Sequence, residues 1–312
     1  MKSLPEHPHW DHLRQQAKEL LRDLRTAHPE AMQRLQEFAP QLAGAPRIAL
    51  HDAQHILARE YGFATWTELK SEVAARMVAR ADLEMQRLAF AGWAIGRGFN
   101  RARPKDAALL WARAGTSLRQ DPWLACAAGD LATVQAKLAE PGWVNAPGGP
   151  LNAPPLVMAS HSALLHHPDH ESGIRAVVEA LLAAGADVNG SYVDGEYPDS
   201  PLSALYGASG RVGDVEITRR LLAAGANPND GESLYHSCEP VSNETMRLLL
   251  EAGADPRTDN VLHHQLDFDD LEGLKMLLGA GADPNARLMP HHGLPALMWA
   301  LLRGRDAAHF AA

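Results

Sequence analysis

Cysteine is nearly absent from this chain. Cys126 and Cys238 are the only two, 112 residues apart and without the CxxC spacing of a thiolate zinc site or redox pair. No disulfide framework is expected, and so few thiols suit a reducing compartment, so the expected location is the cytoplasm. Aromatic residues are also scarce, at 6%. No apolar run reaches the roughly 18 residues that a membrane-spanning helix requires. The best stretch, Leu88 to Gly96, is half that length. Met1 to Pro8 is polar and carries prolines, without the apolar core of a signal peptide. There is no G-x-S-x-G, since Gly207-Ala208-Ser209-Gly210 has the wrong spacing for a nucleophile elbow. Gly96-Arg97-Gly98 lacks both the third glycine and the preceding strand of a dinucleotide loop. What is present is a 312-residue chain, 46% hydrophobic, with 25 Gly and 21 Pro spread along its length. That composition excludes a disordered or collagen-like chain and fits one large or two ordinary domains.

Charge divides the chain. Residues 1–120 hold 18 Lys/Arg against 13 Asp/Glu, whereas residues 121–312 hold 11 against 25. A step of this size marks two units with different surfaces. The acidic second part is unsuited to nucleic acid, whose phosphates it would repel.

A block repeats within that second part. Leu181-Leu182-Ala183-Ala184-Gly185-Ala186-Asp187-Val188-Asn189 returns at Leu221–Asn229, Leu249–Arg257 and Leu277–Asn285, so the glycines Gly185, Gly225, Gly253 and Gly281 are 40, 28 and 28 residues apart. A worn copy, Lys137–Asn145, lies upstream. Each Leu-Leu pair, with Val178, Ile217, Met246 or Leu274 before it, makes the apolar face of a short helix. The glycine suits a left-handed helix end, and the Asp/Asn-x-Asn that follows suits a turn. One such unit cannot bury its own face, so the copies must stack.

These blocks, with starts such as Ser200-Pro201-Leu202-Ser203 and Gly213-Asp214-Val215-Glu216, resemble the ankyrin repeat, with its TPLH-like first helix and GADxN turn. The resemblance covers 121–312 and implies a mainly α, ankyrin-like helical solenoid. It departs from the family in its two 28-residue periods, about five residues short, which predicts stubby hairpin fingers there. Leu294 to Ala300 and Asp306 to Ala312 start a further pair of helices with no closing GAD block, so the array is expected to end in an incomplete repeat.

Residues 1–84 are expected to form a helical N-terminal region. Leu13, Ala17, Leu20, Leu21 and Leu24 line one helix face, Ala31, Met32, Leu35 and Phe38 begin a second helix, and Ala53, Ile56 and Leu57 stripe a third. Thr65-x-x-Glu68 is a capping box that opens a fourth. The stretch from Leu50 to Phe63, continuing into Trp66 and Leu69, resembles the helical leader that precedes ankyrin repeats in a group of bacterial proteins. Residues 85–120 read as a degenerate capping repeat or connector.

Sixteen histidines call for a search for metal ligands. His51 and His55 are spaced i, i+4, but Asp-Ala-Gln stands between them, without the glutamate of a zincin helix. His166, His167 and His170, beside Asp169 and Glu171, are a better ligand set and are read as a solvated polar loop. His263-His264 and His291-His292 are read as structural, and Asp267, Asp269, Asp270 and Glu272 as an acidic helix start. Arg97, Arg101, Arg103 and Lys105 form the one basic run, without the interleaved aromatics of a nucleic-acid surface. Neither metal nor cofactor is therefore expected. Four repeat blocks without a catalytic constellation point to a non-enzymatic protein-interaction scaffold. Its rival is a regulator whose basic front half contacts nucleic acid. Ankyrin-like arrays usually bind through finger tips and first helices. The long insertion here carries Tyr192, Asp194, Glu196 and Tyr197, with Tyr206 and Tyr235 at the following helix starts. Tyrosine supplies contact area with little rotamer entropy to lose, so these six are the expected partner contacts, and their negative charge favours a basic protein partner.

Overall fold

A computed structural model describes residues 2–45, 47–96, 102–195, 198–240, 242–258, 260–287 and 293–311. The chain is mainly helical. Among the described residues the only sheet is a two-stranded antiparallel ribbon, Ser191–Val193 against Pro201–Ser203, with Tyr192 opposite Leu202. No helix there is long and apolar enough to cross a membrane. The chain divides into two compact units, Met1–Ala89 with Lys105–Gly115, and Phe90–Pro104 with Thr116–Ala312. Of residues 85–120, read as a degenerate capping repeat or connector, 85–89 and 105–115 fall in the first unit and the rest in the second. Electrostatics accounts for the return of 105–115: Arg113 Nη2 donates to both oxygens of buried Glu72, at 2.6 and 2.7 Å, alongside Arg76 Nε at 2.6 Å.

In the first unit, Leu13, Ala17, Leu20 and Leu24 are the buried face of helix Trp10–Arg25, as their spacing requires. They pack with Ala31 and Leu35 on one side and with Leu57, Leu69 and Val73 on the other. Half of the capping box forms: Thr65 Oγ1 accepts from the Glu68 N–H, while Glu68 Oε2 accepts from the N–H of Ala64, one residue before the cap, both at 3.1 Å. Glu60 ends helix Leu50–Glu60 as a buried carboxylate. Its burial opposes ionisation, but hydrogen bonds and ion pairs from Arg34 and Lys2 hold its pKa below the usual 4.5.

The second unit is built from short helix pairs. Among them are Pro122–Ala128 with Leu131–Leu138, Pro155–Ser160 with Pro168–Ala183, Ser233–His236 with Glu244–Glu251, and Val261–Gln265 with Leu271–Gly279. Consecutive pairs pack on one another. In each Leu-Leu block the first leucine (Leu181, Leu221, Leu249, Leu277) is fully buried and the second only half-buried, so each helix commits one narrow stripe to the seam. The first two pairs meet so closely that a Cβ on Gly173 would strike the backbone of Gly129.

Every GAD/GAN block closes in the same way. Gly185, Gly225, Gly253 and Gly281 take φ of 86°, 94°, 93° and 101°, which a side chain would disfavour. The alanine N–H that follows each glycine donates back to the first leucine carbonyl at 3.0 Å, as in Ala226 to Leu221 and Ala254 to Leu249. This is a Schellman closure of the helix end. The asparagine of each turn then reaches the next copy. Asn145 Oδ1 accepts from the Asp187 N–H at 2.7 Å, Asn189 Oδ1 from the Asn227 N–H at 2.8 Å, and Asn229 Oδ1 from the Asp255 N–H at 2.7 Å. Asn145 and Asn229 also donate to the carbonyls of Gly185 and Gly253. Arg257 occupies this position in the next turn and instead folds back onto Asp255.

Three substitutions probe this architecture. Removing Arg34 (Arg34→Ala) leaves Glu60 a poorly compensated buried charge and is expected to cost about 3 kcal/mol. A carboxylate whose pKa is lowered by folding contributes stability above its unfolded value and loses it as pH falls. The gap between wild type and Arg34→Ala in urea unfolding should therefore narrow below about pH 4.5. Along the turns, Asn229→Ala removes two inter-copy bonds and should cost about 1 kcal/mol. Arg257→Asn restores the repeating residue and should raise the unfolding midpoint; an unchanged midpoint would show that the rung contributes nothing there.

Candidate functional site

The long finger is the paired ribbon that ends at Ser203. Tyr192 lies on it but is 5% exposed, its ring edge-on to buried His161 at 5.4 Å. Tyr206 is also buried and meets the same imidazole edge-on at 5.6 Å. His161 Nε2 is 2.8 Å from the Ser203 carbonyl, and burial together with the nearby charge of Arg211 pushes its pKa down to about 3. The neutral imidazole and the two tyrosines thus form the packed root of the finger. Tyr192 and Tyr206, expected as contact residues, anchor the backbone instead of offering surface, because the ribbon's alternation turns Tyr192 inward. Val193, next along the strand, is 53% exposed, and Asp194 is half-buried. Glu196 and Tyr197 lie outside the described residues.

Tyr235 is half-buried and belongs to a different cluster, on the first helices of the two 28-residue copies. His236 ends helix Ser233–His236, and His264 lies in helix Val261–Gln265, one repeat further on. Glu239 Oε1 stands between them, 2.5 Å from His236 Nδ1 and 3.2 Å from His264 Nε2. The far ring nitrogens also meet carboxylates: His236 Nε2 is 3.2 Å from Glu232 Oε2, and His264 Nδ1 is 3.4 Å from Asp267 Oδ2. Tyr235 stacks on His264 with ring centres 4.0 Å apart and planes 7° from parallel. Phe268 meets His264 edge-on, and Tyr206 lies 5.1 Å from His236. Burial opposes the charged form of His236, but hydrogen bonds with Glu232 and Glu239 outweigh it and raise the pKa to about 9. Burial likewise opposes charge on Glu239, and the two imidazoles bring its pKa down to about 2. Asp267 further accepts from Trp299 Nε1 at 3.0 Å and pairs with Arg303 at 2.6 Å.

Sequence reasoning passed over this cluster. The available signal was the spacing: His236-x-x-Glu239 recurs 28 residues later as His264-x-x-Asp267, in register with the repeat. The acidic start at 267–272 divides its work, Asp267 joining the cluster and Asp270 capping helix Leu271–Gly279 through the Glu272 and Gly273 N–H groups. The His-rich insertion is a structured helix start. His167 Nδ1 accepts from the Asp169 N–H, and His170 Nδ1 lies 2.7 Å from the Ala128 carbonyl. His51 is exposed, against Asp52. In the basic run, Arg97 and Arg101 lie outside the described residues, and Arg103 packs over Trp93. Cys126 and Cys238 are both buried, which pushes their thiol pKa values up and leaves them poor nucleophiles.

The chain matches no protein-family model, and no curated protein matches it.

The electrostatics of His236 have a defined sign. A histidine whose pKa is raised by folding contributes stability in full below its unfolded value, 6.5, and loses it as pH rises through about 9. Chelator-treated protein should lose on the order of 2 kcal/mol over that window relative to His236→Gln, which lacks the titration. Parallel pH profiles for the two proteins would remove His236 as the source.

Proposed function

We propose that the second unit is an ankyrin-like helical solenoid, preceded by a helical leader of the kind found in bacterial ankyrin-repeat proteins. On this reading it works in the cytoplasm as a non-enzymatic scaffold that binds a protein partner. The observation that carries the reading is the repeated Schellman turn, whose asparagine hydrogen-bonds to the next copy's backbone. Such turns consume one edge of each helix pair in joining copies. The finger and the first helices then remain as the edge offered for recognition. Val193 and Tyr235 lie on that edge, and the acidic balance of residues 121–312 favours a basic partner surface.

The test uses the full chain as bait, with and without Val193→Asp combined with Tyr235→Ala. A partner is expected to bind the wild type directly with purified components. The double variant should bind at least tenfold more weakly while keeping the wild-type far-UV circular dichroism, the loss of a hot-spot pair. High salt should slow association, as expected for a basic partner. Equal affinity for wild type and variant would remove the finger and first-helix edge as the binding surface.

A further inference from the structure

The cluster on the two short first helices has the arrangement of a metal-ligand set. His236, Glu239 and His264 each present one donor atom, and the three lie within 4.8 Å of one another. The far nitrogen of each ring is engaged by its own second carboxylate, Glu232 for His236 and Asp267 for His264. This is how ligating histidines are usually held: the outer carboxylate takes the far N–H, fixes the tautomer and turns the other lone pair toward the ion. Stacking of Tyr235 on His264 and the edge contact of Phe268 fix that ring's plane. Three carboxylates thus meet the two imidazoles within one small cluster, a donor set that a dication can use.

We propose that His236 Nδ1, Glu239 and His264 Nε2 bind one zinc ion, with Glu232 and Asp267 as positioning residues for the two rings. Two imidazoles and one carboxylate suit zinc, whereas magnesium and calcium require all-oxygen shells. Ligand atoms around tetrahedral zinc stand about 3.3 Å apart. The His264–Glu239 separation of 3.2 Å already matches that spacing, while the His236–Glu239 separation of 2.5 Å has to open. Glu239, at 38% side-chain exposure, has the freedom to move outward. Zinc takes the place of the protons lying between the ring nitrogens and Glu239, and these pass to solvent. Three protein ligands leave a fourth position for water or an incoming donor. The ion ties together two consecutive copies whose turn carries Arg257 in place of the bridging asparagine.

The experiment is zinc titration of the full chain after chelator treatment and dialysis, read by calorimetry, by metal content after gel filtration, and by thermal melting. One zinc per chain is expected, with a raised melting temperature. Glu239→Gln and His264→Ala should each weaken binding by at least tenfold, and Asp267→Asn by about 10- to 100-fold through the outer shell alone. Glu239→Gln is the variant least able to disturb the fold, since the residue is partly exposed and the replacement keeps its shape. His167→Ala, in the other histidine-rich segment, should leave binding unchanged. Failure of the wild-type chain to retain zinc would overturn the proposal. Retention at wild-type affinity in Glu239→Gln and His264→Ala would overturn it too, as would loss in His167→Ala.

Discussion

The second unit depends on a helix end that must turn left-handed and a short side chain that must cross to the next turn. Gly185, Gly225, Gly253 and Gly281 make the first requirement inexpensive, since only glycine adopts such φ values without a steric penalty. The asparagine four residues later then presents an amide where the next copy's turn exposes a backbone N–H. Each bond is modest, because these groups are near water and exchange one hydrogen bond for another. Their effect is on register: the turn edge of one copy is fixed against the next to within a hydrogen-bond length. The first leucine of each block, Leu181, Leu221, Leu249 and Leu277, is fully buried.

Fixed register has a chemical consequence. Two copies of equal length place equal sequence positions side by side, so a His-x-x-acid written twice, 28 residues apart, becomes one cluster. Neither His236 nor His264 would attract notice alone. Stacking supplies what the local sequence lacks, with Glu239 between two rings and a further carboxylate behind each. The low exposure of both rings strengthens these interactions, since less water competes for the charges.

Much of the helical organisation was legible because it rests on local chemistry. The apolar stripe of Trp10–Arg25, the helix cap at Thr65 and the closures after each Leu-Leu pair are encoded within a few residues. What stayed hidden was set by contacts distant in sequence. Nothing near Arg113 announces that Glu72, 41 residues earlier, will hold its segment in the first unit. Nothing in the finger sequence shows that Tyr192 will turn inward against His161, since its side is decided by pairing with Leu202 across the ribbon. The tyrosines looked like contact residues because tyrosine is common at interfaces, yet an inserted finger also needs a buried root, and a large amphipathic ring meets that need as well.

The two edges of the helix pairs are therefore under different constraints. At the turn edge, backbone geometry dictates the residues: a glycine, then an alanine whose N–H closes the helix, then an asparagine that reaches across. Where Arg257 replaces that asparagine, the side chain folds onto Asp255 in its own turn and the link onward is not made. At the first-helix edge, copies are joined by side-chain contacts, among them Tyr206 against His236, Glu239 between His236 and His264, and Asp267 with Trp299 and Arg303. The stretch that loses its asparagine rung is the same one in which His264 and Asp267 gain partners from both neighbouring copies. Contacts at one edge thus supply continuity where the asparagine rung at the other is missing, and residues there can be altered to suit a ligand without unmaking the turn.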